Sequence, residues 1–191
     1  MENLVKSLAS RAGADSAKEQ GDVSLLQFLD LQQSNCLNEA LEHNFKSIVS
    51  SKSLNTSSSY LESDADEQLL LNIAFNQSVR VKSLVIKSTD IAHAPKKIKL
   101  AINRPNLGFD DVAEAEEPAV AQVLELDQET VTKGNPISLR FVRFQSVNSL
   151  HIFVVSNHGD EDETKIDAID IIGVPVETTK DLSGLRQQQE N

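Results

Sequence analysis

The sequence predicts an all-β protein, a jelly-roll sandwich of two layers with short peripheral helices, and three observations lead there. Seven segments of strand length, Leu69–Phe75, Val79–Lys87, Lys97–Asn103, Ala119–Leu126, Ile137–Phe144, Ser149–Ser156 and Lys165–Ile172, are separated by turn-like residues. Within the first, Leu69, Leu71, Ile73 and Phe75 recur with period two, so one face of that strand lines a core. The links alternate in length: Asn76-Gln77 is tight and favours antiparallel neighbours, whereas Arg104 to Pro118 is long enough to cross between sheets.

Before the strands, Glu2 to Ala12 places Leu4, Val5 and Leu8 at helical spacing, with Lys6 and Arg11 on the outside, and a polar linker runs to Gly21. Leu25, Leu26, Phe28 and Leu29 make a dense apolar cluster, and Asp30 to Asn38 reads as a loop that contains Cys36. His43 to Val49 fits either a helical turn or a short edge strand. Ser50 to Ser59 has six serines and almost nothing to bury, which is the composition of a mobile surface loop. Leu61 to Phe75 then carries an acidic polar turn, Asp64, Asp66, Glu67 and Gln68, straight into the first long strand.

Between the third and fourth segments, Phe109 to Glu117 is rich in helix formers and stops at Pro118, so a helix of one or two turns is expected at the end of the sandwich. Gly134-Asn135-Pro136 breaks the chain before the fifth segment. In Leu139 to Phe144 and Leu150 to Val155 residues of both parities are apolar, which predicts cover on both faces. Glu177 to Asn191 lacks a hydrophobic face and reads as a disordered tail. The domain organisation is therefore a helix and linker over residues 1–20, a sandwich over 21–176 and a tail over 177–191.

The formal net charge of −11 argues against a nucleic-acid partner, because phosphates need a basic face and the Lys and Arg residues are scattered among acids. The same charge disfavours anionic membranes, and no apolar run reaches the ~20 residues that span a bilayer. The start of the chain lacks the apolar core of a signal peptide, and one cysteine allows no internal disulfide, so cytoplasm and nucleus are the expected compartments.

Catalysis needs a nucleophile beside a base, a metal, or two carboxylates in separate roles, and no such signature stands out. His43, His93, His151 and His158 are widely spaced with no zinc-type pattern, and Cys36 has no basic neighbour to activate it. Asp64 to Glu67 and Asp160 to Glu163 hold enough oxygens for Ca²⁺ but lack the order of an EF-hand loop; a strand-capping turn and a solvated hairpin tip are the competing readings. Neither cofactor nor metal is expected.

Four motifs in order, Leu61 to Phe75, Pro95 to Asn103, Phe144 to Val154 and Ser156-Asn157-His158-Gly159 with Ile172-Gly173-Val174-Pro175, resemble the PITH domain, the proteasome-interacting module of certain thioredoxin-like proteins. The resemblance spans about Gly21 to Val176 and implies a jelly roll similar to galactose-binding and DOC-type domains. It implies a non-catalytic, monomeric module that docks a thioredoxin-like protein on the regulatory particle of the 26S proteasome, with carbohydrate or calcium binding as the alternative. Such proteins carry a thioredoxin domain before the module, so this chain is expected to be part of a longer protein. The polar residues of the motifs form the expected interface: Asp64, Asp66, Glu67, Lys96, Lys97, Asn103, Arg104, Asn148, Asn157 and Gly159. For Asn148, Asn157 and Gly159 a turn-forming role competes with partner contact.

Overall fold

A computed structural model describes residues 21–177. The N-terminal helix and linker expected over residues 1–20, and the tail from residue 178 onward, lie outside these described residues. In chain order the strands are β1 (Val23–Ser24), β2 (Asn35–Leu37), β3 (Leu61–Glu62), β4 (Leu69–Lys87), β5 (Pro95–Ile102), β6 (Gln122–Glu125), β7 (Ile137–Ser138), β8 (Val147–Asn157), β9 (Lys165–Ile166) and β10 (Ala168–Pro175). The short helices are α1 (Phe45–Val49), α2 (Phe109–Val112) and α3 (Gln128–Lys133), with 3₁₀ turns at Leu25–Phe28, Ile91–His93 and Phe141–Arg143.

β4 organises the sandwich. Its first half pairs with β2 and β8, β8 with β5, and β5 with β6; its second half pairs with β10 and β7, and β10 with β1. The expected two strands joined at Asn76-Gln77 are in fact one 19-residue strand. Between Ala74 and Val79 it advances five residues while β8 retreats only two, from Ser149 to Val147. The surplus backbone carries β4 from one layer into the other without ending it. Leu69, Leu71, Ile73 and Phe75 of the first half and Val79 and Val81 of the second join a single core with Leu150, Ile152, Val154, Ile169 and Ile171.

A second irregularity restores the pattern. Ile172 faces Ser83 but Gly173 faces Val81, so Lys82 is looped out and the inward residues change from Val81 to Leu84 and Ile86. At this pinch the carbonyl of Arg80 sits where any side chain on residue 173 would begin, and Leu25 lies 3.2 Å from the same point. Only glycine fits, which gives the Ile-Gly-Val-Pro motif a physical reason.

The outer face of the β4–β8–β5 layer is covered as well. Leu107, Phe109 and Val112 of the α2 region pack on Leu70, Ala101, Phe153 and Val155, with the Phe109 and Phe153 rings edge to face at 5.8 Å. Lys99, 3% exposed, holds this cover down: its ammonium donates to the carbonyls of Ala113 (3.0 Å) and Ala115 (2.6 Å), oxygens left open where the helix ends. Leu150 to Val155 is thus covered on both faces as expected. Leu139 to Phe144 is not a strand: a 3₁₀ turn replaces it, and Phe141 and Val142 are exposed.

His43 to Val49 resolves as a helix because Asn44 caps it, accepting from the Ser47 N–H at 3.0 Å. Ser50 to Ser59 is an exposed loop fastened at Asn55, whose amide donates to the carbonyl of Asp167. Gly173→Ala is expected to cost at least about 1–3 kcal/mol through overpacking, while Gly21→Ala, with open space around it, stays within about 0.5 kcal/mol; urea unfolding of the two variants checks both.

Candidate functional site

The ten expected interface residues divide between the two ends of one layer. β5 starts at Pro95 opposite Asn157 and finishes at Ile102 opposite Leu150, so the Lys96–Lys97 end and the Asn103–Asn148 end are separated by six residues of strand, about 20 Å.

At the first end the two acidic segments come together. Ser63 and Thr164 exchange hydrogen bonds in both directions, and the Thr164 hydroxyl donates to the Glu67 carbonyl at 2.7 Å. Asp64 and Asp66 are exposed, and Asp66 caps its own turn by accepting from the Gln68 N–H. Asn38 donates to the Asp66 carboxylate and to the Gln68 carbonyl, which ties the turn to the end of β2. Lys96 is exposed and Lys97 half-buried, and neither has an ion-pair partner among the described residues.

Asn157 is fully buried: its amide donates to the Glu161 and Glu163 carbonyls and its oxygen accepts from the Glu161 N–H. Gly159 lies so close to Ala92 that a side chain would press on its backbone oxygen at 2.7 Å. These two residues shape the loop that presents Asp160 to Asp162.

The other end holds a cleft of about 970 Å³ between the 30–37 and 103–108 loops, floored by outward-facing residues of β2, β4 and β8. A polar row crosses that floor. Asn72 donates to Asn35 at 3.0 Å, and its oxygen lies 2.7 Å from His151 Nδ1. His151 Nε2 accepts from the Arg104 backbone N–H and meets the Ser149 hydroxyl at 3.1 Å. The row requires Nδ1 to carry the ring's proton and Nε2 to be bare, the neutral imidazole. Burial, with a smaller contribution from the nearby Arg104 charge, holds the His151 pKa down to about 4.

Asn103 adopts a left-handed backbone with φ of 54° and locks the loop: its oxygen accepts from the Asn148 and Ser149 N–H groups and its amide donates to the Ser146 carbonyl. Arg104 therefore stands at the cleft on a fixed backbone. Asn148 is exposed at the rim. The floor residues Asn72 and His151 were absent from the expected interface, although each is a polar residue at an outward position of an otherwise apolar strand.

The Cys36 thiol is buried, and burial together with the Glu39 charge pushes its pKa far above the usual thiol range. Among the described residues no three His, Cys, Asp or Glu side chains converge as metal ligands. Three of the four histidines are used separately: His43 stacks on Tyr60 at 4.0 Å, His93 pairs with Asp90, and His151 serves the floor row.

Comparison with solved structures finds the same jelly-roll architecture in other proteins. The family 32 CBM from C. perfringens NanJ in complex with galactose superposes with a TM-score of 0.56 over 79% of this chain and 98% of its own, at 8% identity. A SusE-like protein does so with a TM-score of 0.53 over 81% of this chain and 68% of its own, at 11% identity. At such identities the likeness is one of fold.

The sequence narrows the class further. The PITH domain profile matches residues 15–190, and the chain belongs to the PITH domain family. Thioredoxin-like protein 1 of Schizosaccharomyces pombe is 42% identical over 181 residues, 91% of this chain, and the match spans 60% of that relative's length. PITH domain-containing protein 1 of Homo sapiens is 32% identical over 146 residues, 76% of this chain and 66% of the relative.

Since His151 is neutral when folded and its ordinary pKa is 6.5, the unfolded chain binds more protons between those values. Its contribution to stability is present above about pH 6.5 and is lost as the pH falls toward 4. Urea midpoints should show a loss on the order of 2 kcal/mol between pH 7 and pH 5, and His151→Asn should remove most of that slope.

Proposed function

We propose that this chain is a non-catalytic protein-binding module that docks a thioredoxin-like protein on the regulatory particle of the 26S proteasome. Membership of the PITH family and the 42% identity to a thioredoxin-like protein support this reading. The observation that carries it is the convergence of the Asp64–Glu67 and Asp160–Asp162 loops with Lys96 and Lys97, which have no ion-pair partner among the described residues, at one end of a rigid sandwich. Charges of both signs on short, internally fastened loops suit electrostatic steering and register on a protein surface.

Docking of this kind raises the effective concentration of an attached reductase near its substrates without new chemistry in the module. One buried cysteine supplies no dithiol pair, so the redox step belongs to another part of the protein. The module acts as a monomer in cytoplasm and nucleus. Among the described residues no helix is long and apolar enough to cross a membrane.

Carbohydrate binding, the alternative that the fold suggests, has less support. A sugar ring packs on an open aromatic face, but Phe75 in the cleft is only 8% exposed, and Tyr60 already carries His43 and, at 5.4 Å, the Lys165 ammonium. Calcium has the acidic loops but no converging ligand set among the described residues.

Reversing both charges with Lys96→Glu and Lys97→Glu should weaken proteasome pull-down at least tenfold while melting shifts by less than about 4 °C, the scale of a 1 kcal/mol change. Unaltered recovery would remove this end from the interface. The isolated chain should show no insulin reduction, and turnover above background would overturn the non-catalytic reading.

A further inference from the structure

We propose that the cleft beside Arg104 binds an extended peptide segment of another protein and reads one carboxylate on that segment. The site lies at the opposite end of the layer from the docking surface above, so the proposal stands whichever assembly that surface meets.

Charge selection is the first argument. The chain has 29 Asp and Glu against 18 Lys and Arg, yet no acidic residue lines this cleft and Arg104 is the one Lys or Arg that does. Its guanidinium has no hydrogen bond or ion pair among the described residues; only its backbone N–H is engaged, by His151. A free guanidinium presents a planar fork of donors that matches a carboxylate with two parallel hydrogen bonds. With His151 neutral beneath it, Arg104 is the one charged side chain lining the cleft, while the Asp30 and Asp111 carboxylates stand behind the walls and accept from the backbone N–H groups of Gln32, Gln33 and Gly108.

Preorganisation is the second. The backbone under Arg104 is fixed from one side by the three hydrogen bonds of Asn103 and from below by the His151–Asn72–Asn35 row. The loop backbone is therefore already in place when the arginine pairs, and only its side-chain rotamers remain to be ordered.

The walls indicate a peptide and not a small acid. Gln33 on one loop, Asn106 on the other and Asn148 at the rim have carboxamides that bond to no described residue, and they flank a space of about 970 Å³. Each carboxamide offers a donor and an acceptor, the complement of a backbone N–H and C=O pair. Pro105 and Leu37 add apolar surface beside them. His151 and Asn103 are positioning residues in this site, and Arg104 is the contact residue.

The test is selection of a displayed library of random ten-residue peptides on the immobilised chain, with counter-selection on Arg104→Gln. Recovered peptides should share one Asp or Glu at a fixed position, and replacing that acid by its amide should weaken binding at least tenfold on the native chain but less than twofold on Arg104→Gln. Asn148→Asp, which adds a negative charge at the rim where the native side chain bonds to nothing described, should weaken binding by a similar factor with the melting temperature unchanged. No enrichment, acid-free or basic consensus peptides, equal binding to Arg104→Gln when its melting temperature is native, or equal affinity for sodium acetate would each overturn the proposal.

Discussion

The turn-over of β4 between Ala74 and Val79 is the constraint on which the rest of the structure depends. By spending extra residues against β8 there, one strand belongs to both layers, and the core side chains of the two halves pack into one cluster. Both layers are thereby hydrogen-bonded to the same backbone, so neither slides against the other without breaking β4. The exposed Asn76 and Gln77 mark where the strand swings, and Ser78 and Ser146 join the swing to the start of β8. A frame of this stiffness lets short loops at its ends keep their shape, which is what recognition by loops requires.

Much of this frame was legible in the sequence because the hydrophobic effect writes period two wherever one strand face is buried. Leu69, Leu71, Ile73 and Phe75 show the pattern openly, and they do line the core. The same rule misled at Leu139 to Phe144, where apolar residues of both parities belong to a 3₁₀ turn and not to a doubly covered strand. It also gave no sign of β1, β2 and β3, since two- or three-residue strands are too short to show a period. Helix α3 had a readable signature: Asp127 caps it by accepting from the Thr130 N–H, and Gly134 closes it in the left-handed region.

The sites were less legible, because motif membership does not separate residues that touch partners from those that shape loops. Asn103, Asn157 and Gly159 each meet a definite internal need: a left-handed turn, a loop with orphan carbonyls and a close backbone approach. Asp64, Asp66 and Lys96 remain at the surface. The convergence of Arg104 with Asn72 and His151 depends on strand register, which places residue 72 beside 151, and no spacing along the chain announces it. The docking surface and the cleft thus occupy the two ends of one layer.

Lysine-specific crosslinking of the purified chain bound to 26S proteasome, read by mass spectrometry, tests the central proposal of docking most directly. Crosslinks from Lys96 or Lys97 to one or two subunits of the regulatory particle are the expected result. Their absence from a complex that forms, or crosslinks confined to the proteolytic core particle, would contradict the account.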